Sequence, residues 1–174
     1  MILQDEAGLR RTLETMADEI ARAAPPGAPV GIVGIRRRGE VLARRLRAML
    51  EARGVALHHG ALDITLYRDD LSTIGPNAML RGTEIAFDVR DHWIVLVDDV
   101  LYTGRSVRAA LDALVDLGRP RAIRLAVLVD RGWRELPIHA DFVGLKVETT
   151  AHQIIKVKVH EVDGEDGIEC VESE

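Results

Sequence analysis

A chain of 174 residues with 47% hydrophobic content is of one-domain size and carries enough apolar mass to build a buried core. The single cysteine, Cys170, excludes an internal disulfide and disfavours a cysteine-based metal site, and the formal charge of −5 disfavours a uniformly basic nucleic-acid surface. No run is long and apolar enough to span a bilayer, and the opening residues, with Gln4, Asp5 and Glu6, show no export pattern, so a cytoplasmic protein is expected.

From Asp5 to Ala24 the residues Leu9, Leu13, Met16, Ile20 and Ala23 recur at helical spacing, and Pro25-Pro26-Gly27 ends the pattern. Val30 to Ile35 reads as a buried strand, and beyond Gly39 the period set by Val41, Leu42, Leu46, Met49 and Leu50 predicts a helix closed by Gly54. Within Val55 to Tyr67 the alternation of Ala61-Leu62-Asp63-Ile64-Thr65-Leu66-Tyr67 predicts a half-exposed strand, and Arg68 to Glu84, with its Asp, Ser, Gly and Pro residues, reads as a long loop. Ile94 to Val97 is wholly apolar, as a strand covered on both faces requires, and a helix over Val107 to Leu117 follows, stopped by Gly118 and Pro120. Ile123 to Val129 predicts another buried strand, and Phe142 to Val147, Ile154 to Val159 and Ile168 to Val171 predict shorter ones. Strands alternating with helices imply a mainly parallel sheet with helices on both faces.

Charge is unevenly placed. Seven acidic residues and no Lys or Arg lie between Glu161 and Glu174, so this segment alone outweighs the net charge, while arginines cluster at 36–38, at 44–47 and from Arg105 to Arg134. Each basic cluster reads either as solvated helix surface or as part of an anion-binding face.

The segment Ile94 to Ser106 concentrates the chemistry: an apolar strand ends in Asp98-Asp99 and opens a helix through Thr103-Gly104-Arg105-Ser106. Ligands of open α/β sheets sit at such carboxyl ends, and free N–H groups at the helix start favour a phosphate. Gly104 admits close backbone approach, Thr103 and Ser106 add hydroxyl donors, and two adjacent carboxylates suit vicinal sugar hydroxyls. The same pattern also allows a helix cap or Mg²⁺ ligands. No Walker or dinucleotide glycine pattern is present.

This segment resembles the 5-phosphoribosyl-1-pyrophosphate (PRPP) motif of type I phosphoribosyltransferases. Leu62-Asp63-Ile64-Thr65-Leu66-Tyr67-Arg68-Asp69-Asp70-Leu71 and Leu125 to Gly132 running on to Arg134-Glu135-Leu136-Pro137 narrow the resemblance. They point to the bacterial pyrimidine-operon attenuation regulators that are also uracil phosphoribosyltransferases. The resemblance covers nearly the whole chain. It implies the type I phosphoribosyltransferase fold, with a flexible loop or hood, in one domain over 1–174.

For the site, the resemblance implies Asp98, Asp99 and Arg68 as catalytic. It implies PRPP and UMP contacts from Arg37, Arg38, Asp98, Asp99, Val100, Leu101, Tyr102, Thr103, Gly104, Arg105 and Ser106, with Arg131, beside Asp130, and Val147 on the uracil side. Mg²⁺ is expected to arrive with PRPP rather than on protein side chains. Expected partners are PRPP, uracil, UMP and UTP, the leader messenger RNA of the pyrimidine operon, with Arg134 as an RNA contact, and further copies of the chain in a homodimer or higher homo-oligomer. The chain departs from the family pattern at Arg37, where a threonine is usual, at Trp133 and His139, and over Lys146-Val147-Glu148-Thr149-Thr150. The alternative function is a phosphoribosyltransferase, for a purine or orotate, or a nucleotide sensor, without RNA binding.

Overall fold

The computed structural model describes residues 1–65 and 82–174. In chain order the elements are β1 (Ile2–Gln4), α1 (Glu6–Ala23), β2 (Val30–Ile35), α2 (Arg38–Ala52), β3 (Leu57–Leu62), β4 (Glu84–Ile85), β5 (Trp93–Leu101), α3 (Arg105–Leu117), β6 (Ala122–Asp130), β7 (Phe142–Lys146), β8 (Gln153–Lys158), α4 (His160–Asp163) and β9 (Gly167–Glu172). They form a six-stranded sheet of order β4-β3-β2-β5-β6-β7, parallel except for the β3–β4 edge, and an antiparallel sheet of order β1-β9-β8.

Helix α1 starts where sequence says it should: the Asp5 carboxylate accepts the Gly8 N–H at 2.8 Å, and Leu9, Leu13, Met16 and Ile20 turn one face into the core. That face, the apolar side of α2 and one face of β2 and β5 make one core cluster, while α3 packs Val107, Ala110 and Leu114 against the other face. Helices therefore cover both sides of the parallel sheet, as expected.

The second strand differs from expectation. It runs over Leu57–Leu62, starting before the alternation at 61–67, because pairing with β2 in the register Val30↔Leu57 to Ile35↔Leu62 draws His58, His59 and Gly60 into the ladder; the expected strand residues Leu66 and Tyr67 and most of the expected loop lie outside the described residues. Within the expected Arg68–Glu84 loop, Glu84 belongs to β4. Among the described residues, no helix is long and apolar enough to cross a membrane.

Candidate active site

The chain leaves β2 through α2 to reach β3 on one side, and leaves β5 through α3 to reach β6 on the other. The carboxyl ends of β2 and β5 thus diverge at a topological switch point, the place where open α/β sheets bind ligands. The β2–β5 pairing extends to Gly34↔Val97, after which β5 continues alone on that side through Asp98 to Leu101. The first turn of α2 fills the vacated edge. A Cβ on Gly39 would lie 2.6 Å from the Val97 carbonyl oxygen, and one on Gly34 would lie 2.4 Å from the Gly39 carbonyl oxygen. Only glycine at both positions lets the Arg36-Arg37-Arg38 loop sit this close to the carboxylates.

Asp98 is 7% exposed and its Oδ1 accepts the Asp99 N–H at 2.9 Å, while Asp99 Oδ1 accepts the Val100 N–H at 2.8 Å. Burial, then the neighbouring Asp99 charge, pushes the Asp98 carboxyl well above the usual carboxylate range. Asp98 is therefore held toward its neutral form beside a partly exposed Asp99. Val100 and Leu101 complete the strand, and Tyr102 and Thr103 form the turn. Gly104 adopts φ +95° and leads into α3, whose Arg105 N–H is met by Thr103 Oγ1 at 3.2 Å. The exposed Ser106 sits in the first helical turn, where N–H groups lack intrahelical partners.

A second wall comes from the ends of β6 and β7, where base-side residues were expected. The Val147 N–H donates to the Asp130 carbonyl at 2.9 Å, Thr149 Oγ1 to the Arg131 carbonyl at 3.0 Å, and Trp133 Nε1 to the Thr149 carbonyl at 2.8 Å. These loops line a cavity of about 670 Å³. Arg131 is 6% exposed, its guanidinium lies 4.0 Å from the Tyr102 ring centre, and its Nε and Nη2 have no hydrogen-bond partner among the described residues. The π-face offsets part of the desolvation of the cation without supplying an in-plane acceptor.

Other expected residues are placed differently from one another. Arg37 is exposed, whereas Arg38 donates through Nε and Nη2 to Asp163 at 3.2 and 2.7 Å. The peptide bond between Arg36 and Arg37 is cis. Arg36 reaches the Gly82 carbonyl and pairs with Glu40 and Glu84. Arg105 pairs with Glu135. Arg134 holds the Asp130 carboxylate at 2.7 Å and the carbonyls of Ile138 and Tyr102 at 2.7 and 3.0 Å, so it ties the loop after β6 to the turn before α3. Arg68 lies outside the described residues. The sequence did not single out Asp163, the partner of Arg38; the one signal that could have found it is an acidic segment in a chain rich in helical arginines.

The chain matches the family model of the phosphoribosyl transferase domain over residues 2–161. Bifunctional protein PyrR of Thermus aquaticus is 56% identical over 173 residues, covering 99% of this chain and 96% of its own. The protein of that name from Deinococcus radiodurans is 52% identical over 167 residues, covering 95% and 91%. Among solved structures, the hypoxanthine phosphoribosyltransferase of Trypanosoma cruzi superposes with a TM-score of 0.73 at 17% identity, over 100% of this chain and 97% of that one, which establishes the fold. Taken with the switch-point carboxylates and the glycine turn that opens α3, these likenesses mean that the chain belongs to the phosphoribosyl transferase domain family and, within it, to the Bifunctional protein PyrR group.

Proposed function

We propose that this chain acts as one domain that transfers the phosphoribosyl group of PRPP to uracil, giving UMP and pyrophosphate, and that it regulates a pyrimidine operon by binding leader messenger RNA in response to uridine nucleotides. One observation carries the enzymatic half: two adjacent carboxylates, one buried and one partly exposed, at the switch-point end of β5 directly before a glycine-turned helix start. The 5-phosphate takes the N–H groups and hydroxyls of 102–106, and Asp99, the less buried of the pair, takes the ribose hydroxyls, with Asp98 as its support. Arg37 and Arg38 serve the pyrophosphate, and Arg131 and Val147 border the base.

No side-chain nucleophile is required in this reading. The residues align uracil and the anomeric carbon, and the carboxylates favour positive charge developing on the ribose ring. In this reading Mg²⁺ would enter on the oxygens of PRPP, neutralising charge on the departing pyrophosphate. A cytoplasmic location and a homo-oligomeric state belong to the same reading.

Incubation with PRPP, Mg²⁺ and each of uracil, hypoxanthine and orotate tests the activity. UMP formation is expected, with kcat/KM lowered about 100-fold or more in Asp99→Asn. Turnover of hypoxanthine but not uracil would end the uracil assignment. For the regulatory half, a gel shift of the leader transcript that strengthens with UMP is expected, and no shift at low salt would refute it.

A further inference from the structure

The acidic segment after β8 is folded back onto the basic face of α2. Arg38 and Arg45 are seven residues apart and so share a helix face, and both meet this segment: Arg38 pairs with Asp163, and Arg45 with Asp166 and Glu161 at 2.9 and 2.8 Å. The Asp163 and Asp166 carboxylates are both bidentate and also accept a backbone N–H, Asp166 from His160 at 2.7 Å, but only Asp163 meets the arginine at the start of α2. Oδ1 accepts Arg38 Nη2 at 2.7 Å, while Oδ2 accepts both Arg38 Nε at 3.2 Å and the Val159 N–H at 2.9 Å. The Asp163 N–H in turn donates to the Val159 carbonyl at 2.7 Å, and Val159 is fully buried. The carboxylate is thus pinned to a rigid turn before it touches the arginine.

What it touches lies at the switch point. Arg38 is the first residue of α2 and adjoins Gly39, whose backbone abuts Val97 and Asp98. A bidentate carboxylate takes the Nε–Nη2 edge of a guanidinium and fixes its plane. Among the described residues Nη1 makes no hydrogen bond, which leaves its two N–H groups for a further acceptor. An unrestrained arginine would lose several rotamers on gripping a ligand, and a pre-set one avoids that loss.

We propose that Asp163 is a positioning residue that presets the Arg38 guanidinium for the pyrophosphate of PRPP, so that the C-terminal turn forms part of the pyrophosphate site. This rests on the phosphoribosyl-transfer reading above.

Steady-state kinetics with purified full-length variants tests it. Asp163→Asn is expected to raise the KM for PRPP, and for pyrophosphate in the reverse reaction, about tenfold, with kcat within about twofold. Binding of UMP, which lacks the pyrophosphate, is expected to be unchanged. Arg38→Lys keeps the charge but not the fork, and should give a similar rise. In an Arg38→Gln background Asp163→Asn should add no further effect. The positioning role is overturned if the KM for PRPP is unchanged, if it falls (Asp163 then competes with the ligand), if UMP binding declines in step, or if the two substitutions add. Should Asp163→Asn fail to fold, a normal KM for PRPP in Arg38→Lys overturns it equally. Absence of PRPP turnover in the unmodified protein would instead sink the enzymatic reading itself.

Discussion

At Asp98 the burial that shapes the site also works against stability. The unfolded carboxyl titrates near its ordinary value and the folded one higher, so between the two the native state holds the extra proton. The stability tied to this group is therefore full at acid pH and is lost as pH rises through the folded value. Asp98→Asn is expected to melt higher than the unmodified protein near about pH 8, with the gain shrinking toward about pH 4, while turnover falls. Thermal unfolding at three pH values checks this, and a gain that does not depend on pH would contradict it. Arg131 makes a second case. Leaving its buried donors without acceptors among the described residues is unfavourable by about 1–3 kcal/mol, and on the proposed reading a bound base would relieve this with a carbonyl oxygen. Arg131→Gln is accordingly expected to weaken UMP roughly tenfold in titration calorimetry and to leave ribose 5-phosphate unaffected. Equal weakening of both ligands would place Arg131 outside base binding. In the sequence only the resemblance set Arg131 apart from the other arginines, because burial and a missing partner are properties of the packed chain.

Among the elements, the α2 start is the least tolerant. A methyl group on Gly39 would meet the Val97 carbonyl oxygen at 2.6 Å, a contact with backbone that no side-chain rotation relieves. Gly39→Ala is expected to destabilise by about 1–3 kcal/mol and to raise the KM for PRPP, as judged by denaturant unfolding and kinetics. Unchanged stability would show that the loop can shift off β5. Helices α1, α2 and α3 were legible from period alone, and so was β5, whose unbroken apolar run matches burial on both faces. Legibility failed at β3, where register with β2 outweighed the alternation farther on, and at β1, whose three residues pair with β9 across nearly the whole chain. Strand pairing over such separations leaves no local pattern. The candidate site divides in the same way: Asp98 to Ser106 is contiguous and was readable, whereas the Asp163–Arg38 pair joins residues 125 positions apart.

Over the whole molecule, charge that looked like an acidic tail is structural. Lys158 pairs with Glu165 and Glu169, and the arginines of α2 take Glu161, Asp163 and Asp166, so the segment is β9 and its flanks rather than a solvated run. Asp163, Asp166 and Glu169 are each held below their ordinary values by these partners, so their contribution is present at neutral pH and is lost on acidification through the lowered values. Several of these pairs are part-buried, and the antiparallel sheet adds the ladder that unites them. The molecule also carries two indoles in opposite settings. Trp93 is 4% exposed within the sheet, and Trp133 is 51% exposed at the lip of the cavity beyond β6 and β7. Its fluorescence therefore has a shielded component and a wet one. Iodide should quench only the second, and a nucleotide seated in the cavity should dim that quenching, which makes an optical titration of occupancy possible without any attached dye.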